Sequence, residues 1–194
     1  MISINKQRPE GTSYINGATL DIIKIWETIQ GEGPLAGERA TFVRLAGCNL
    51  RCQLCDTDYT SNRQRISTST LIKQIEEIRK PPCLVVLTGG EPFRQDISMF
   101  VSGLHLTGFR VQIETNGTLY RTGFPYSACK IVCSPKTPHI NSALAPYIDV
   151  LKYVIESGNV GTDGLPTSVL GRSIIPARRP ENSNAEIWVQ PMDC

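Results

Sequence analysis

The stretch Thr41-Phe42-Val43-Arg44-Leu45-Ala46-Gly47-Cys48-Asn49-Leu50-Arg51-Cys52-Gln53-Leu54-Cys55-Asp56-Thr57 joins a strand to a loop that carries three thiols. Residues 41–45 read as a strand, and the loop follows its C-terminal end. The thiols are spaced by three residues and then by two. Three thiolates on one short loop can reach three corners of a cubane iron–sulfur cluster. No fourth Cys follows at the spacing of a ferredoxin, so one iron would lack a protein ligand and could bind a small molecule. An open coordination position goes with catalysis rather than storage. The alternative is a structural zinc site, which takes four protein ligands, but His105 and His139 are both far along the chain.

Working outward, further strand-length apolar runs lie at 21–27, 83–88, 110–115, 130–134, 150–155 and 186–190. Leu84-Val85-Val86-Leu87 is apolar on both faces, as in a strand covered on both sides. Between the runs, 67–80 places Leu71, Ile72, Ile75 and Ile78 on one side of a helix and charges on the other. It must stop at Pro81-Pro82. Residues 96–106 place Ile97, Phe100, Val101 and Leu104 similarly, and Gly108 follows. Residues 157–185 are rich in Gly, Pro, Ser and Asn and read mostly as loop. Strands alternating with helices argue for parallel β–α units. About six such strands are too few for the eight of a complete barrel. That leaves a partial barrel or an open doubly wound sheet, and both gather ligands at the C-terminal ends of their strands.

The bulk properties exclude other classes. A chain of 194 residues with 40% hydrophobic content fits one domain. We divide it into a flexible, polar arm over 1–20 and a core over 21–194. The net charge of +2 offers no basic stripe for nucleic acid. No apolar run approaches the roughly 20 residues of a membrane span. The N-terminus lacks the apolar stretch of a secretory signal, so a cytoplasmic location is expected. Seven Cys, three of them clustered, argue for metal binding over a disulfide scaffold.

Four more segments end strands on the same side. Leu87-Thr88-Gly89-Gly90-Glu91-Pro92 has two glycines that allow backbone to approach a ligand closely. Glu114-Thr115-Asn116-Gly117, Cys133-Ser134-Pro135-Lys136 and Gln190-Pro191-Met192-Asp193 follow in turn. Each alone reads as a turn or a solvated charge. In this order, with the Cys-x3-Cys-x2-Cys loop, they resemble the radical S-adenosylmethionine (SAM) superfamily. Glu27-Thr28-Ile29-Gln30-Gly31-Glu32-Gly33-Pro34, Phe42–Gly47 and Asp56-Thr57 narrow the resemblance to 7-carboxy-7-deazaguanine synthases, across residues 21–193. A glycyl-radical enzyme activase or a non-enzymatic iron–sulfur or zinc module are the remaining readings.

The resemblance implies a reduced, partial (β/α)6 barrel in a homodimer. It implies a 4Fe-4S cluster on Cys48, Cys52 and Cys55 and a Mg2+ ion on Thr57. SAM would be bound by Leu54, Cys55, Asp56, Gly90, Glu91, Glu114, Asn116, Ser134, Pro135, Lys136, Gln190, Pro191, Met192 and Asp193. The substrate, 6-carboxy-5,6,7,8-tetrahydropterin, would meet Ile29, Gln30, Gly31, Arg44 and Thr88. The implied reaction removes hydrogen from C6 of the pterin, contracts the ring and releases ammonia, with SAM regenerated. The product would feed 7-deazapurine pathways such as queuosine. An external electron donor such as flavodoxin or ferredoxin is implied too. Arg44 makes chemical sense there, since its planar fork suits a carboxylate; its other reading is a salt bridge to an acidic neighbour. Family members normally continue beyond Gln190-Pro191-Met192-Asp193, where this chain ends one residue later.

Overall fold

A computed structural model describes residues 4–13 and 16–192. Its strands are β1 (Thr19–Ile29), β2 (Arg39–Leu45), β3 (Gln64–Ser67), β4 (Leu84–Gly89), β5 (Arg110–Thr115), β6 (Lys130–Cys133), β7 (Val150–Ile155) and β8 (Glu186–Pro191). Its α-helices are α1 (Thr68–Ile78) and α2 (Ser98–Leu106). The strands form one sheet in the order β3-β1-β2-β4-β5-β6-β7-β8. From β2 to β8 the six neighbours run parallel. The sheet is open, with β3 and β8 at its edges, which makes the barrel partial.

The β3 edge of the sheet is antiparallel. The run at 21–27, read as a strand without a direction, becomes β1 and pairs antiparallel with β2, with an irregularity between Ile22 and Lys24. Alternation of side chains reports a strand and its faces but not its direction. The short strand β3, Gln-Arg-Ile-Ser, was not anticipated and pairs antiparallel with β1. Four mostly polar residues carry no apolar signal. What fixes them is Asp21 facing Arg65 across the two strands, with Arg65 Nε and Nη2 donating to the carboxylate at 2.8 and 3.1 Å.

Both helices lie where the apolar spacing put them, with tighter ends. α1 starts one residue late because Ser67 caps it, its Oγ accepting from the Thr70 amide at 3.1 Å. It ends at Ile78, ahead of the two prolines, which bias the preceding backbone away from helix. α2 starts two residues late, and the Asp96 carboxylate accepts from the Ser98 amide at 3.1 Å. The helices touch closely at Gly103, where a Cβ would come within 2.5 Å of Ile72 Cδ1. Among the described residues the later crossovers hold only 3-10 turns, and 157–185 contain turns and two isolated bridges.

The two faces of the sheet then diverge. The outer face packs Val43, Leu45, Val85, Leu87, Ile113 and Ile131 under Leu71, Ile75, Phe100, Val101 and Leu104 of the helices. The inner face is apolar only at the start of its strands. There Ala40, Leu84 and Val86 pack with Leu35 and Phe42. Elsewhere the inner face is polar, at Arg44, Thr88, Gln112, Glu114 and Lys152.

Candidate active site

Parallel pairing brings the ends of β2, β4, β5, β6, β7 and β8 to one edge, so the cysteine loop and the four later segments share it. The loop springs from Gly47, whose φ of +80 favours glycine. A Cβ there would sit 2.3 Å from the Arg94 guanidinium beneath it. The Gly47 amide donates to Tyr59 O at 2.8 Å and closes the loop on itself.

The Gly-Gly turn after β4 lies directly on this loop. A Cβ at Gly90 would meet Gly47 O at 2.1 Å and Cys48 Cβ at 2.7 Å, and the Glu91 amide donates to Gly47 O at 3.0 Å. Only glycine leaves backbone and thiol loop in contact. The end of β5 joins through Asn116, whose Nδ2 donates to Asn49 Oδ1 at 3.0 Å, while Asn49 Nδ2 donates to Thr118 Oγ1 at 2.8 Å. Glu91, expected among SAM contacts, turns its side chain away from the edge. It is fully buried and accepts from Thr115 Oγ1 (2.7 Å), the Asn116 amide (2.7 Å) and the Phe93 amide (3.1 Å). Burial pushes its carboxyl up to about 7 against those hydrogen bonds. Its side chain therefore braces β4 against β5, and only its backbone faces the loop.

Cys48 and Cys52 are buried and Cys55 half-buried, and all six described cysteines are free. Burial pushes the Cys48 thiol up to about 12 and raises Cys52 and Cys55 as well. Thiols in such surroundings are protonated until a metal claims them, and coordination deprotonates them outright. Among the described residues no three His, Cys, Asp or Glu groups gather around the position of a single ion. Each thiolate of a cubane binds a separate iron, so three thiols of one loop need not converge on a single point. The donor set and the glycine cradle beside it fit a cluster with a ligand over it.

Inside the lumen the expected substrate and SAM residues meet at one carboxylate. Gln30 Nε2 donates to Glu114 Oε1 at 3.0 Å and Thr88 Oγ1 donates to Glu114 Oε2 at 3.1 Å. Gln112 Nε2 donates to Glu114 Oε1 at 3.3 Å, leaving its own buried Oε1 without a partner. Arg44 stands beside Thr88 in the parallel register. Its guanidinium carbon is 5.1 Å from the Trp26 ring, and its buried Nε hydrogen-bonds nothing. Among the described residues it forms no ion pair. One orphan donor and one orphan acceptor on the same inner face suit a small polar ligand.

Sequence reasoning missed Lys152. It lies on the inner face of β7, buried, with Nζ paired to Glu32. Burial alone would push its ammonium down, but Glu114, Glu32 and Asp56 outweigh that and raise it. Lys136, expected at the SAM site, donates to Ser134 Oγ and to Ser134 O, the latter at 3.3 Å, and burial pushes it down. Pro135 is buried beside it. Leu54 rests on the 170–171 turn, where its amide donates to Leu170 O at 3.2 Å. Thr57 Oγ1 donates to Asp56 Oδ1 at 3.1 Å, and both line an open crevice of about 640 Å3 with Cys55, Asn5 and Gln7. Other expected residues are not drawn in. Ile29 is 60% exposed and Gly31 is exposed, while Gln30 between them is buried. Gln190 and Pro191 end the edge strand β8, the Met192 amide just beyond it donates to Ile155 O at 2.8 Å, and Asp193 falls outside the described residues.

The sequence profile of the Radical SAM superfamily matches residues 42–131. A 7-carboxy-7-deazaguanine synthase of Rhodospirillum rubrum is 46% identical over 184 residues, covering 92% of this chain and 77% of that protein. One of Rickettsia prowazekii is 36% identical, covering 92% and 75%. Among solved structures, that of QueE from Escherichia coli superposes with a TM-score of 0.65 at 26% identity, over 71% of each chain. With relatives of that identity and coverage, and with the cysteine loop set against the Gly-Gly turn, the chain belongs to the 7-carboxy-7-deazaguanine synthase family of radical SAM enzymes.

Proposed function

We propose that the chain converts 6-carboxy-5,6,7,8-tetrahydropterin to 7-carboxy-7-deazaguanine with loss of ammonia, as a homodimer fed by an external one-electron donor. The observation that carries this reading is the buried, unpartnered Arg44 Nε beside the Gln30–Glu114–Thr88 network, at the edge that bears the cysteine loop. Cys48, Cys52 and Cys55 would hold the cluster, which together with SAM would supply one-electron chemistry. The chain's own residues do the rest. Arg44 holds the pterin carboxylate through its fork. Gln30, Thr88 and Glu114 offer a donor, a hydroxyl and an acceptor to orient the ring. Thr57 would hold a Mg2+ ion through its hydroxyl, and the ion would supply charge to steady the substrate carboxylate. The backbone at Gly90, with Asn116, Ser134 and Lys136, holds SAM. The apolar end of the lumen excludes water behind the substrate.

The test is anaerobic incubation of the reconstituted protein with the carboxypterin, SAM, Mg2+ and a reductant. Deazaguanine and ammonia should form together, with SAM conserved and Mg2+ raising the rate. Protein with an intact cluster that cleaves SAM but never forms the deazapurine would overturn the reading.

A further inference from the structure

Residues 4–10 cross the outside of the cysteine loop and bond to its peptide groups in series. Asn5 is buried, 6% exposed. Its amide donates to Gln53 O at 2.9 Å and its Nδ2 to Cys52 O at 3.0 Å, while its carbonyl accepts from Arg51 Nε at 3.3 Å. The Asn5 Oδ1 accepts from the Gln7 amide (2.9 Å) and from Gln7 Nε2 (3.1 Å), which aims the Gln7 side chain at the far arm of the loop. There Gln7 Nε2 donates to Thr57 O at 2.8 Å, and Gln7 Oε1 accepts from the Tyr59 amide at 2.7 Å. Further on, the Glu10 amide donates to Cys48 O at 2.7 Å. The segment is anchored beyond the loop by Arg94, which pairs with Glu10 at 3.4 Å and donates to Gly11 O at 3.2 Å.

Segment 47–59 contains no helix or strand, so its peptide groups have no ladder to satisfy them. Buried or half-buried peptide groups need partners, and residues 4–10 supply them at Cys48, Cys52, Gln53, Thr57 and Tyr59. A loop that must offer three thiolates at fixed positions depends on such outer support. We propose that Asn5 and Gln7 are positioning residues of the cluster, and that residues 4–10 form a strap holding the cysteine loop in its ligand-ready shape. The proposal rests on Cys48, Cys52 and Cys55 being the cluster ligands. These residues belong to the stretch expected to be a flexible arm, and their hydrogen bonds to the loop are what the proposal builds on.

The test uses Asn5→Ala, Gln7→Ala and, as a control, Arg8→Ala, whose side chain is exposed. Amide hydrogen exchange over 48–59 is measured in cluster-free protein. Iron release to excess ferrous chelator is measured in anaerobically reconstituted protein. Loss of one or two hydrogen bonds should speed loop exchange and iron release by about tenfold in the first two variants. Exchange in β4 and β5 and the starting iron content should match wild type, and Arg8→Ala should match it throughout. Wild-type loop exchange and iron release in both variants would overturn the proposal, as would acceleration spread evenly over the sheet. Should Asn5→Ala fail to fold, Gln7→Ala, at a half-buried position, reads the same contacts. A wild-type protein that binds no iron would overturn the cluster assignment, while the exchange measurement still decides the strap.

Discussion

An arginine at a strand end is ordinary, and Arg44 is unusual only in what it lacks. Its Nε is buried with no acceptor, and the Trp26 ring 5.1 Å from its guanidinium carbon satisfies the charge only in part. A buried donor without an acceptor is costly, so the position makes sense where a carboxylate arrives. Arg44→Lys keeps the charge and loses the fork. Pterin affinity should fall about tenfold to a hundredfold, roughly 1.5–3 kcal/mol. Titration of the pterin, beside SAM cleavage in its absence, checks this; normal pterin binding by the variant would make Arg44 structural. Arg44 was legible because it precedes a recognisable loop by four residues. Lys152 was not, since a lysine between Leu151 and Tyr153 could face solvent or lumen, and only the register of β7 puts it inside. Asn5 and Gln7 were hidden for a similar reason, as short polar residues in a polar N-terminus have no periodicity to mark burial.

The strands and helices that could be read ahead are those whose period-2 or period-3.6 pattern meets an apolar layer. β4 is the clearest, with Leu84 and Val86 on the inner face and Val85 and Leu87 on the outer. β3 was illegible because charge holds it in place. The Asp21–Arg65 pair across β1 and β3 makes that edge pH-sensitive. The Arg65 guanidinium, helped by Arg63 and Arg94, keeps the Asp21 carboxyl below its usual value of 3.8 despite burial. A carboxylate lowered in the fold contributes stability above its unfolded pKa and loses it as pH falls through the folded one. Asp21→Asn should therefore cost about 1–2 kcal/mol near pH 7. That gap should stay flat down to about pH 5 and close only below the unfolded pKa of about 3.9. Urea titrations of both proteins across that range check this, and a gap that closes near neutrality would point to another group.

At the scale of the molecule the cysteine loop ties distant parts together. The Gly-Gly turn, Asn116 and residues 4–10 all bond to it, so filling its thiols should tighten the whole C-terminal edge. Binding to the folded state alone raises stability. Chelating the iron away should lower the unfolding temperature by several degrees, with Cys48→Ala insensitive to chelator and Cys83→Ala behaving as wild type. Equal unfolding temperatures with and without iron would show that the loop is held fully by protein. Most of this edge was legible, because its segments follow strands in a fixed order. The antiparallel edge at β1 and β3, the inward turn of Glu91 and the outward position of Ile29 were not. Each depends on which way a neighbouring strand runs or a side chain points. The cluster of Ala40, Leu84, Val86, Leu35 and Phe42 has one more consequence. It sets apolar atoms one step below Arg44 and Thr88 on β2 and β4, so a ligand held there would meet a floor that water does not wet on one side and hydrogen-bonding groups on the other.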